Sequence, residues 1–278
     1  TTWQFASEGD ETLLVRTWVP LIAKGASGFN VPGETLLTLR FVYNSRPAAT
    51  YDKYANNYRE VLRRVPMLSY LKNSFLLVGL NILGQILGSS LVAFAFARLK
   101  WPGREFYFVL VLATLMIPPQ VTMIPLFLIF RELGWYNTLR PLWVPAFFGS
   151  AFYIFLLRQF MRGIPKELED SAKIDGCGYF GIYWRVILPL VKPALATIGI
   201  FTFMTVWNDF MGPLIYLSDQ RLYPLSLGLF ALQVVQGPNI NYGVMMAASV
   251  IMTIPVIALF FAAQRQFIQG ITLTGLKG

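Results

Sequence analysis

The chain has no histidine and only one cysteine, Cys177, in 278 residues. Without histidine it lacks the commonest general base and the commonest metal ligand. No catalytic set, metal site or cofactor is expected. A lone cysteine excludes an internal disulfide. Charge is also scarce: Asp, Glu, Lys and Arg make up 13% of the residues, against 55% hydrophobic, and mean hydropathy is +0.54. A soluble domain carries about a quarter charged residues. The apolar runs do not alternate with polar residues, which argues against a membrane β-barrel. No repeat, low-complexity stretch or signal peptide is visible in these residues. The net charge of +9 sits between the apolar runs, as in cytoplasmic loops of membrane proteins, so nucleic acid is not an expected partner and membrane lipid is.

What the chain does have is long apolar runs of about the 20 residues that cross a bilayer as a helix. The expected fold class is all-α and polytopic. Five spans are expected, at about 74–97, 106–124, 142–160, 193–216 and 242–263, the second interrupted by Pro118-Pro119. The basic segments 98–104 and 161–192 and the tail with Arg265 and Lys277 are assigned to the cytoplasm by the positive-inside rule. The segments near Arg140 and Arg221 then face outward. Five spans with a cytoplasmic C-terminus leave the N-terminus outside, and parity leads to the expectation of a sixth span upstream of Thr1. Residues 1–72 are expected to form an external, partly folded region and 73–278 the transmembrane domain. The nine Lys/Arg of the first segment do not oppose this, because long loops translocate largely regardless of charge.

The most informative stretch runs from Pro165 to Pro193, a polar insert between two apolar runs. Pro165 suits a first helical turn, and Glu167, Glu169 and Asp170 complement the positive end of the helix dipole. Leu168, Ala172 and Ile174 fall near one side. Gly176 and Gly178 break the helix. A second short helix is expected to carry an aromatic face of Phe180, Tyr183, Trp184 and Ile187 and to end at Leu188-Pro189. Read on residues alone, this is a helix–turn–helix that either anchors loops at the membrane surface or presents itself to a partner.

Its pattern resembles the EAA loop of binding-protein-dependent ABC importer permeases: Glu-Ala-Ala, three residues, Gly, nine residues, Ile-x-Leu-Pro. Here it reads Asp170-Ser171-Ala172, Gly176 and Val186-Ile187-Leu188-Pro189, with Asp for Glu, Ser for Ala and Val for Ile. Asn73-Ser74, Ala95 to Arg98, Trp101-Pro102-Gly103, Trp207 to Phe210 and the ending Gly275-Leu276-Lys277-Gly278 resemble the carbohydrate, maltose-type branch. The resemblance covers about 58–278. It implies the type I importer permease fold and a permease subunit that forms the path of a carbohydrate. The implied partners are an extracytoplasmic solute-binding protein, a second permease chain, usually a different one, and a cytoplasmic ABC ATPase dimer that carries out hydrolysis. The location implied is a bacterial or archaeal inner membrane. A GxxxxGK[ST] phosphate loop is missing from this chain. The resemblance also implies ATPase coupling by Glu167, Glu169, Asp170, Ser171, Ala172, Asp175, Gly176, Leu188 and Pro189.

Within the runs, Asn208 and Asp209 are candidates to line the path, since ionisable residues in spans are functional candidates by default, or else to cap or pair structurally near the external interface. Asn81 and Gln85, four apart on one helix face, are candidates too, although Gly84, Gly88, Ser89 and Ser90 beside them equally suit close helix packing. Three other readings stay open at this point: a permease for glycerol phosphate or a polyamine, an ion-coupled secondary carrier using Asp209, and an integral membrane enzyme.

Overall fold

The structure, a computed structural model, describes residues 4–7, 12–17, 37–42, 46–236 and 241–274, and the side chains of 54–234 and 241–264. Trp3, Trp18, the side chain of Tyr51 and the ending 275–278 lie outside these. The chain divides into two units, Thr1–Arg59 and Glu60–Gly278.

The first unit holds three strands, β1 (Gln4–Ser7), β2 (Thr12–Thr17) and β3 (Leu37–Val42). They form an antiparallel sheet in the order β1-β2-β3, with Gln4 opposite Arg16 and Thr12 opposite Val42. Hydropathy read this region only as partly folded. The strands form where β-branched and aliphatic residues cluster, as in TLLVRT and LTLRFV. Helix α1 (Arg46–Arg64) follows.

The second unit is helical. Helix α2 (Met67–Arg98) is its longest described apolar helix by side chain. After the 99–103 loop come α3 (Arg104–Ala113), a 3-10 turn at Thr114–Met116, and α4 (Pro119–Glu132). The two helices meet at 98°. The cause is the expected one: Pro118 sits extended at ψ 133° and Pro119 opens α4, so neither can continue the preceding ladder. Next come α5 (Arg140–Trp143), a 3-10 turn at Val144–Phe148, and α6 (Ala151–Arg162). The polar insert folds as α7 (Glu167–Ile174), α8 (Tyr179–Ile182), a π-helical turn at Tyr183–Ile187 and α9 (Leu188–Leu190). The chain then bends by 76° into α10 (Lys192–Trp207). Helices α11 (Met211–Tyr216), α12 (Leu225–Gln236) and α13 (Tyr242–Thr274) complete it.

Three stretches among the described residues are long and apolar enough to cross a membrane, Met67–Arg98, Arg140–Arg162 and Tyr242–Gln264, and up to five if each bent pair counts as one span. Two expected spans are less regular than hydropathy implied. The third is continuous α-helix only over Ala151–Arg162, because Gly149 takes φ 78° and ψ 164° ahead of it. The fourth stops at Trp207 and resumes at Met211. Helix α12 was not foreseen.

Helix α2 organises the unit, packing along α6, α10 and the Val144–Phe148 turn. Two apolar cores form at its two ends. One gathers Val61, Met67, Tyr70 and Val78 with Trp207, Leu225, Leu232 and Val244. The other gathers Ala93, Phe94 and Phe96 with Ile154, Leu157, Met161, Ala172, Ile182, Tyr183 and Ile187. The polar insert is therefore seated on the second core.

Candidate functional site

Helix α7 begins after Lys166, whose carbonyl accepts from the amides of Glu169 at 2.9 Å and Asp170 at 3.0 Å. Pro165 lies just ahead of this N-cap rather than inside the first turn. The helix ends in a Schellman motif. Cys177 N–H donates to the Ala172 carbonyl at 2.9 Å and Gly176 N–H to the Lys173 carbonyl at 2.9 Å. Gly176 holds φ +81°, and a Cβ there would meet no atom within 4 Å. The turn requires glycine for its backbone angle, while the space beside it is open. Cys177, next in line, packs against the core that contains Ala172.

The insert has an inner and an outer side. Ala172, Ile182, Tyr183 and Ile187 are buried. Tyr183 and Ser90 on α2 join hydroxyls at 2.7 Å. Glu169 also points inward, where it pairs with Arg98 at 2.9 Å, their side chains 11% and 5% exposed. Arg98 additionally donates to the carbonyls of Met161 and, at 2.7 Å, Ile164. One guanidinium thus ties the end of α2 to the end of α6 and to α7. On the outer side Glu167, Asp170, Ser171, Asp175 and Gly176 are exposed. So are Leu168, Ile174, Tyr179, Phe180 and Trp184, with Ile174 at 87% and Phe180 at 72%. Phe180 and Trp184 stack at 6.5 Å and 13°. The expected single aromatic face is therefore split: Tyr183 and Ile187 turn in, and Phe180 and Trp184 turn out.

Asp170 and Lys173 pair across the outer side at 2.9 Å. The hydrogen bond from Lys173 holds the Asp170 carboxyl below the usual aspartate range, and the same bond holds the Lys173 ammonium above the usual lysine range.

The second helix of the insert does not end at Leu188-Pro189. Leu188 is half-buried and Pro189 exposed, both within a helix that runs on to Leu190. Proline lacks an N–H and crowds the carbonyl four residues back, here Arg185. The π-helical turn at Tyr183–Ile187 absorbs this by widening the helix just before it. The break falls at Val191, with φ −96° and ψ 11°.

The residues expected along a path are placed differently from one another. Asn81 is buried and donates to the carbonyls of Leu77 at 2.8 Å and Leu142 at 2.9 Å. Gln85 accepts from Ser89 at 3.4 Å, and Ser89 in turn accepts from Ser150 N–H at 3.2 Å. A Cβ on Gly88 would stand 2.8 Å from Gly149 N. This side of α2 thus receives the 142–150 backbone, and Asn81 serves as a tie. Asn208 is exposed, with its amide turned back to the Met204 carbonyl at 2.8 Å. Asp209 Oδ1 accepts from Gly212 N–H at 3.1 Å, and its carbonyl accepts from Ser226 at 2.6 Å. From the position ahead of the Phe210 N-cap, Asp209 gives the first turn of α11 an acceptor.

One charged residue escaped the sequence reading. Arg158 lies inside the third apolar run, an ionisable residue in a span and hence a visible signal. It is 3% exposed, bonds Glu105 through both carboxylate oxygens at 2.8 and 2.7 Å, and lies 3.8 Å over the Phe108 ring. It joins α6 to the start of α3, while Arg98 joins the end of α6 to the end of α2.

Comparisons with known proteins agree on what this arrangement is. The profile of the family described as "Binding-protein-dependent transport system inner membrane component" matches residues 56–273. The arabinooligosaccharides transport system permease protein AraQ of Halalkalibacterium halodurans is 40% identical over 69% of this chain and 68% of its own length. The trehalose/maltose transport system permease protein MalG of Thermococcus litoralis is 34% identical over 84% of each. A solved bacterial ABC transporter involved in the import of the acidic polysaccharide alginate superposes with a TM-score of 0.68, at 26% identity, over 75% of this chain and 78% of that one. The match spans both apolar cores and the polar insert seated on one of them, and the chain belongs to the family of inner membrane components of binding-protein-dependent transport systems.

Proposed function

We propose that this permease is one of two transmembrane subunits of an ATP-driven importer, and that it forms part of the path for a carbohydrate delivered by an extracytoplasmic solute-binding protein. The carbohydrate class rests on its relatives, which carry arabinooligosaccharides and trehalose or maltose. The loop 161–192, with Glu167 to Pro189 at its centre, is the coupling element toward a cytoplasmic ABC ATPase dimer, and hydrolysis belongs to that separate chain. The observation that carries this reading is the two-sided insert: a buried side locked to α2 and α6 by Arg98, Glu169 and Tyr183, and an outer side of Leu168, Ile174, Phe180 and Trp184 left in the open. Large apolar side chains exposed on a polar segment mark an interaction surface. In this reading Glu169 and Ala172 secure the element. Glu167, Asp170, Ser171, Asp175 and Gly176 face the ATPase. Leu188 and Pro189 shape the return to α10. Basic residues in 98–104 and 161–192 assign this side to the cytoplasm. Of the path candidates, Asn208 is the one on an exposed surface.

The test is purification of the full-length chain from its native membrane in mild detergent, with mass spectrometry of what accompanies it. The expected result is an ATPase with a phosphate loop and a second permease, together with ATP-dependent carbohydrate uptake on reconstitution. Recovery of the chain alone, moving solute without ATP, would overturn the reading.

A further inference from the structure

A polar cavity of about 890 Å³ lies between the 98–104 segment, the end of α6 and the start of α7. Its lining contains three ion pairs and three further cations. Arg98 pairs with Glu169, Arg104 with Glu105 and Lys173 with Asp170. Lys100, Arg162 and Lys166 line the same cavity and form no ion pair among the described residues. They come from three different elements, so their convergence is tertiary. Three excess positive charges facing one cavity call for an anion.

Next to this cup is an apolar groove of about 480 Å³, lined by Phe96, Trp101, Tyr107, Leu110, Val111 and Thr114. Trp101 lines both. Its ring is held between Phe96 at 5.5 Å and Tyr107 at 5.7 Å, and its Nε1–H reaches the Ala95 carbonyl at 3.4 Å. The groove runs down α3 among residues of an apolar stretch, and the cup opens where that stretch meets charged loops. Tryptophan at such a boundary is characteristic of the membrane interface, and basic pockets between membrane helices bind anionic lipid headgroups.

From this juxtaposition we infer that the cup and groove form a binding site for one anionic phospholipid. Its headgroup phosphate sits among Lys100, Arg162 and Lys166, and an acyl chain lies in the groove past Trp101. A free phosphate would satisfy the cup but leave the groove without an occupant. A bound headgroup would bridge the end of α2, the end of α6 and the start of α7, the same three elements that Arg98 joins. The inference needs only the position of the cavity at a membrane boundary, so it can fail or hold independently of the ATPase-coupling reading.

The experiment uses the assembled transporter and reads lipid retention without ATP or solute. Native mass spectrometry is expected to find an anionic phospholipid retained by the wild type. In the Lys100→Gln/Arg162→Gln/Lys166→Gln variant its occupancy should fall at least about tenfold. All three positions are exposed, and thermal unfolding will report whether the variant keeps its fold. As a second readout, brominated phosphatidylglycerol should quench tryptophan emission more than brominated phosphatidylcholine does, and Trp101→Phe should abolish the difference. Retention unchanged in the triple variant would overturn the site. Displacement of the retained species by excess inorganic phosphate would overturn the lipid and leave an anion cup. Loss of the ATPase with lipid retention unchanged would also overturn it, by making the cup part of a protein interface.

Discussion

Arg98 shows how much one side chain can settle. It ends a span, where a basic residue is ordinary, yet its guanidinium is buried against Glu169 and two carbonyls. Removing one partner of a buried pair costs about 3–5 kcal/mol, because the other charge is left uncompensated, whereas replacing both with apolar residues is often neutral. Arg98→Ala and Glu169→Gln should therefore each lower the unfolding temperature of the detergent-solubilised protein markedly, and Arg98→Met/Glu169→Leu should recover most of the loss. Gly176 offers the opposite case. Its strain is in φ and not in space, so Gly176→Asn should fold nearly as well as the wild type, and Gly176→Val should lose about 1–2 kcal/mol locally. Gly176→Asp is expected to leave insertion intact and to reduce ATPase association or transport. Normal transport by Gly176→Asp would sink the assignment of this turn to docking. The Asp170–Lys173 pair has a pH signature. The depressed Asp170 contributes stability above its unfolded pKa and loses it as pH falls through the lower folded value. The raised Lys173 contributes below its unfolded pKa and loses it as pH rises through the higher folded value. The thermal difference between wild type and Asp170→Asn should thus be present at neutral pH and vanish in strong acid. Sequence acidity at 167–170 was legible, but which carboxylate turned inward depended on where Arg98 ended.

At the scale of elements, helix α2 and the 142–150 segment are joined backbone to backbone. Gly88 and Gly149 permit the approach, and Asn81 and Ser89 satisfy polar groups that it buries. Gly88→Ala would drive a methyl into the Phe147 carbonyl, and overpacking of this kind costs about 1–3 kcal/mol. Asn81→Ala should cost about 1–2 kcal/mol through the unpaired carbonyl. Thermal scanning checks both, and an unchanged Gly88→Ala would mean that the two segments are not this close. Asp209 belongs to the same scale. It holds a first-turn amide of α11 where the fourth apolar run breaks, so Asp209→Asn should affect stability more than the KM for solute; a selective rise in KM would return Asp209 to the transport path. Hydropathy marked where the apolar runs lie and Pro118-Pro119 marked one break. The breaks at Gly149 and at 208–210 carry weaker local signals, because they are stabilised by partners far away in sequence, Ser89 for one and Ser226 for the other.

For the whole molecule, the exposed apolar surface is the main fact. Along α3 and α4, Phe106, Val109, Met116, Val121, Ile124 and Leu128 are all exposed, far beyond the patch a soluble monomer tolerates. Lipid and a second permease are the expected covers. A partner that binds only the folded state raises its stability by mass action, so the chain should unfold at a higher temperature in the assembled complex than alone in the same detergent. Equal unfolding temperatures would argue against a stable permease pair.

The sequence by itself determined that this is a helical membrane protein, where its apolar runs lie, and which segment stands apart from them. Those properties follow from composition and local pattern, and burial in lipid acts on each run separately. Only the tertiary structure decided which side of the insert faces inward and that Arg98 and Arg158 are buried ties. It alone made Asn81 a strut and brought Lys100, Arg162 and Lys166 to one cavity. Each of these depends on contacts between residues tens of positions apart, and no local pattern encodes such distances.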